Sequence, residues 1–219
     1  MKSSQLLHAP HIRYIVPFFV FMLFTEGQRY TSGSVIFLVY GLKTVSTAFV
    51  LWLFFRNRPE EFPGKLSIEP FLLGLAALAI WIPLCEAAAP LDKSAFQAEW
   101  VENTVLRFMA IAVRIAGAVL VVPIMEELLW RSFLMRYLID PNFTKIPIGK
   151  YTHFSFWLTC VAFVLVHRPW EWGAAFITAI LYGGYLVKTA NLRGVIMAHA
   201  VTNLGLAVYV LVTGRWYFW

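Results

Sequence analysis

Val122-Pro123-Ile124-Met125-Glu126-Glu127-Leu128-Leu129-Trp130-Arg131 places two adjacent carboxylates and an arginine inside an apolar run. Such a run reads as a membrane helix, and an acidic or basic residue at the centre of one costs roughly 2.5 to 3.5 kcal/mol on insertion scales. A charge kept there needs a partner or a purpose. On a helical backbone Glu127 and Arg131 stand four apart with the acid N-terminal, the better order for an ion pair along one face. Glu126 points about 100° away and finds no partner on its own helix. The stretch therefore predicts one neutralised pair and one carboxylate to spare.

The flanking sequence places this stretch in lipid. Of the 219 residues, 60% are hydrophobic and 14% charged, whereas about a quarter of a soluble domain carries charge. Residues 1–219 read as a single integral membrane domain, an all-α polytopic transmembrane helix bundle. A hydrocarbon core about 30 Å thick takes about 20 apolar residues as helix. On that rule the spans fall at Ile12–Thr25, Ser34–Phe55, Pro70–Ala89, Asn103–Ile139, Thr152–His167, Gly173–Lys188 and Gly194–Val212. That makes seven, or eight if the fourth divides. The fourth would reach roughly 55 Å as one straight helix, and Pro123 is its natural break. Pro83 predicts a kink in the third. Gly183-Gly184 would let a neighbouring backbone come close.

Net charge is +6, and its placement matters more than its sum. With seven spans Lys2, Arg13, Arg56, Arg58, Lys65, Arg131, Arg136, Lys145, Lys150, Lys188 and Arg193 fall on or near one side, which puts the N-terminus in the cytoplasm and makes the lipid bilayer, not nucleic acid, the partner of the basic surface. The outer side would carry Arg29, Lys93, Arg168 and Arg215, with Lys93 in a largely acidic loop over residues 90–102. No small-residue cleavage site follows the first apolar run, so it reads as a span and not a removed leader. Cys85 and Cys160 have no CxxC spacing and suggest neither a zinc knuckle nor a redox pair. Lys43, Arg107 and Arg114 interrupt apolar runs and must face the interior or reach an interface. His8, His11 and His153 sit near segment ends, and Trp216–Trp219 reads as an interface anchor.

Two further apolar helices carry polar groups. His167 follows Phe163 by four, and His199 precedes Asn203 by four on one helical face. Taken singly each has a plain structural reading: an interfacial histidine, an asparagine bonding between helices, a proton-carrying glutamate. Taken with Glu126 they supply a carboxylate, two imidazoles and a carboxamide on three segments. A carboxylate and a histidine can hold and deprotonate a water, and a second histidine with an amide can donate to an oxyanion forming on a carbonyl. That is a minimal set for hydrolysing an amide bond away from bulk water. Straight helices would scatter the three ionisable groups in depth, so at least one helix must tilt, break or start late.

Glu126-Glu127-x-x-x-Arg131, Phe163-x-x-x-His167 and His199-x-x-x-Asn203, in that order on membrane segments, resemble the CPBP family, the CAAX prenyl endopeptidase type II and bacteriocin-processing intramembrane proteases. The resemblance covers residues 122–206. It implies that Glu126 activates water with help from His167, that His199 and Asn203 form the oxyanion site, and that Glu127, Arg131 and Phe163 support the site. It implies no metal cofactor, with a zinc ion held by Glu126, His167 and His199 as the alternative; the HExxH pattern of a zincin helix is absent. The implied activity is an intramembrane endopeptidase acting near the C-terminus of a membrane-anchored or lipidated protein or peptide. The alternatives are a non-catalytic membrane immunity or scaffold protein of the same fold, or a small proton-coupled transporter using Glu126, His167 and Arg114. The absence of an inverted repeat weighs against the last.

Overall fold

The computed structural model describes residues 9–89 and 101–219; Lys2, His8, Lys93 and most of the acidic loop lie outside them. Among the described residues the chain is helical without strands. The helices are α1 (Ile12–Gln28), α2 (Val35–Phe55), α3 (Ile68–Ala87), α4 (Thr104–Tyr137), α5 (His153–Leu165), α6 (Trp172–Thr189) and α7 (Leu192–Thr213). Of these, α2, α3, α4 and α7 are long and apolar enough to cross a membrane. With 17 residues α1 is shorter, and α5, at 13, reaches only roughly 20 Å.

Helix α2 shows why lipid is the solvent. Leu38, Leu42, Val45, Phe49 and Trp52 form one stripe at helical spacing and are all exposed, while Lys43, Thr44 and Thr47 on the other side are buried. Such an apolar exterior over a polar interior would be costly in water and suits a bilayer. Lys43 is matched inside: its ammonium donates to Gln28 Oε1 at 2.7 Å and Thr25 Oγ1 at 3.3 Å, and lies over the rings of Phe21 and Tyr40. The protein is thus an integral membrane protein.

Side-chain caps start the helices beside the site. Thr152 and Ser155 form a capping box on α5, and the Asn191 side chain accepts from Gly194 N–H at the start of α7. These bonds satisfy amide groups that a helix start leaves open. Helices α3 and α7 pack tightly at Gly74, where a Cβ would fall 2.4 Å from the Ala198 carbonyl oxygen. Thr202 donates across the same contact to the Gly74 carbonyl at 2.8 Å. Gly183 instead makes room for the Phe156 ring, while Gly184 faces open space; the expected close approach is to a side chain and involves one glycine. At one end of the bundle, buried Glu61 receives Arg13 Nη2 at 2.7 Å and the Tyr14 hydroxyl at 2.5 Å, with Arg136 3.7 Å away. This cluster ties the α2–α3 connection to α1 and to the end of α4.

Candidate active site

Helix α4 does not break at Pro123. It widens into π-helix over Gly117–Val121, returns to α over Val122–Glu127, and widens again over Leu128–Leu134. A proline deprives the ladder of one N–H, and single wide turns are a common way to absorb such a fault, often beside functional residues. The bond pattern is specific here. Val122 N–H goes to the Gly117 carbonyl, five residues back. The next donor in that register would be residue 123, which is proline, so the Ala118 carbonyl has no helical partner. Asn203 of α7 fills the place, donating from Nδ2 at 2.7 Å. Asn203 is therefore interhelical glue with one amide hydrogen left over.

The two glutamates between the wide turns have the division of labour expected from their spacing. Glu127 is fully buried and its Oε1 accepts from Arg131 Nη1 at 3.2 Å. The same oxygen lies 2.8 Å from His199 Nδ1. With a carboxylate as acceptor, that nitrogen carries the proton and Nε2 is the ring's other functional atom. Phe163 supports the pair from α5: Arg131 stands over its ring at 4.5 Å, and the His167 ring lies 4.5 Å from it, centroid to centroid. Glu126 is buried as well, and its Oε2 has no hydrogen-bond partner.

His167 is not on a helix. Helix α5 ends at Leu165 with Val166 as its cap, so His167 sits in the turn beyond, where its Nδ1 donates to the Phe163 carbonyl at 2.7 Å. That bond fixes the tautomer of the neutral ring and leaves the Nε2 lone pair as the base. The Trp81 indole meets the ring edge-on at 5.6 Å. The expected span Thr152–His167 thus stops as helix two residues short of the histidine.

Glu126, His167, His199 and Asn203 all line one cavity of about 270 Å³. A single water needs roughly 10–15 Å³ measured this way, so the space is ample for water and part of a peptide. Arg114 is on the wall, its guanidinium over the Tyr40 ring at 4.7 Å. Tyr182 and Thr202, unremarked in the sequence, complete the floor. Thr202 gives its one hydrogen to a main-chain carbonyl, so the Tyr182 hydroxyl, 2.7 Å away, must donate to it. A hydroxyl-bearing residue buried in an apolar helix was the available signal for both. The tail also departs from the anchor expected of it: Phe218 and Trp219 fold back and line the cavity. Among the described residues no three His, Cys, Asp or Glu side chains come together closely enough to hold a metal ion, and each cavity histidine has its Nδ1 engaged and its Nε2 open.

What the helices and cavity define is a membrane protein with a buried carboxylate, two oriented imidazoles and an amide around a polar chamber. Residues 108–205, 98 of the 219, match the family described as Type II CAAX prenyl endopeptidase Rce1-like, and that segment is similar to it. The segment runs from α4 into α7 and contains every motif residue from Glu126 to Asn203. No curated protein and no solved structure matches the chain.

Proposed function

We propose that the protein is an intramembrane endopeptidase in which Glu126 activates water. The observation that carries this reading is a buried carboxylate oxygen without a hydrogen-bond partner, in a cavity shared with two histidines and an asparagine. A buried polar atom without a partner is costly in protein and in lipid, and a water in the cavity would supply the missing donor. Glu126, helped by His167 Nε2, takes a proton from that water as its oxygen bonds to the substrate carbonyl carbon. The electron pair displaced from the C=O bond makes an oxyanion. The remaining Nδ2 hydrogen of Asn203, and Nε2–H of His199 when that ring carries its second proton, donate to it. Collapse breaks the C–N bond, and the proton held by Glu126 passes to the leaving amine. Glu127 accepts from His199 and pairs with Arg131, keeping that ring in place.

The substrate is a membrane-anchored or lipidated protein or peptide cut near its C-terminus, and no metal takes part. The orientation follows the basic loops, with the N-terminus cytoplasmic. The test is to reconstitute the protein in vesicles with lipid-anchored peptides and identify products by mass spectrometry, with and without a chelator. Discrete cleavage that survives chelation is expected. Peptide that is held but never cut would favour the scaffold alternative, and activity restored only by added zinc would overturn the metal-free mechanism.

A further inference from the structure

Residues beyond α7 turn back over the cavity. Arg215 pairs with Glu86 on α3, and the Tyr209 hydroxyl donates to the same carboxylate at 2.7 Å. Tyr217 is buried, and Phe218 and Trp219 reach the chamber wall. The opposite side grips this tail by its main chain. Arg168, one residue after His167, donates from Nη1 to the Tyr217 carbonyl at 2.9 Å and from Nη2 to the main-chain oxygen of Trp219 at 3.1 Å. The Arg114 guanidinium stands 5.0 Å from the Trp219 ring.

These contacts are of two kinds. A guanidinium fork on two main-chain oxygens holds a peptide whatever its side chains are. A guanidinium over an aromatic face prefers a large flat side chain. We propose that Phe218 and Trp219 occupy the subsite for the substrate peptide, where Arg168 holds substrate carbonyls and Arg114 faces a bulky aromatic side chain. The inference deepens the peptidase reading and rests on it for the word substrate. A second cavity of about 190 Å³ reaches Glu126 and His167 past Phe18, Phe21 and Met22 of α1, and no tail residue lines it. The tail therefore covers one approach to the carboxylate and leaves the α1 side clear. Arg168 borders both cavities, but a peptide must displace the tail to take over its two hydrogen bonds and the face of Arg114.

The experiment measures binding with turnover removed. Full-length protein carrying Glu126→Gln in detergent micelles is titrated against a fluorescein-labelled peptide Arg-Trp-Tyr-Phe-Trp, and anisotropy is read. Adding Phe218→Ala and Trp219→Ala should tighten binding about tenfold, because the tail loses the ring that Arg114 faces and with it one cation–π contact that holds it over the subsite. Adding Arg168→Gln as well should abolish the gain, whereas partitioning of the probe into micelles is the same for both proteins. If the double tail variant does not fold, Trp219→Ala alone is measured and should shift affinity in the same direction. Affinity unchanged by the tail substitutions, or a gain that persists with Arg168→Gln, overturns the proposal. Because nothing is hydrolysed in this assay, its failure leaves the peptidase reading standing, and a failed hydrolysis assay leaves the binding result standing.

Discussion

Glu126→Ala and Glu127→Ala change neighbouring residues yet should differ widely in their effect on folding. Glu127 is fully buried and Arg131 is 2% exposed, with 3.2 Å between their charged atoms. Removing the carboxylate strands a guanidinium in the interior and takes the Nδ1 acceptor from His199. Breaking a buried pair from one side costs about 3–5 kcal/mol. The ring faces of Phe163 and Tyr182, 4.5 and 5.8 Å from the guanidinium, return only about 0.5–2 kcal/mol and are already present in the wild type. Glu126 Oε2 has no hydrogen bond to lose, so its removal should change stability by less than about 1 kcal/mol or raise it. Reversible unfolding in mixed detergent micelles reads both. Glu127→Ala should lower the midpoint sharply, Glu126→Ala should not, and Arg131→Met added to Glu127→Ala should restore most of the loss. Equal destabilisation by the two alanine variants would refute the assignment of one glutamate to structure and the other to the chamber.

Asn203→Leu should cost about 1–3 kcal/mol by leaving the Ala118 carbonyl without a donor, and Pro123→Ala, which returns an N–H to α4, should recover part of it; the same unfolding assay on the double variant decides. Gly74→Ala should cost about 1–3 kcal/mol, because its Cβ would meet the Ala198 carbonyl oxygen and the Val201 side chain across the α3–α7 contact, and a main-chain atom cannot swing aside.

The helices and the ion pair could be read from the sequence because their causes are local. Apolar runs of sufficient length mark helices, and four-residue spacing predicts the Glu127–Arg131 contact. The meeting of Glu126 with His167, His199 and Asn203 at one cavity depends on a helix end that the apolar pattern hides: residues 152–167 are continuous in hydropathy, but α5 stops at Leu165 and His167 turns off it. The wide turns of α4 were equally hidden. Pro123 announces a fault in the ladder, but whether the helix breaks or widens depends on Asn203, 80 residues later, reaching the vacant carbonyl. The fold-back of Trp216–Trp219 was missed for a similar reason. Aromatic residues at a segment end suit an interface, and only the partners Arg168 and Glu86 reveal a tail laid over the chamber.

The central claim is that the Glu126 carboxylate takes the proton from the attacking water. Its most direct test is the turnover of a lipid-anchored peptide by purified Glu126→Gln, an isosteric change, with folding checked by its unfolding midpoint. A loss of about 10²–10⁴-fold in rate at unchanged stability is predicted. Wild-type turnover from that variant would contradict the account.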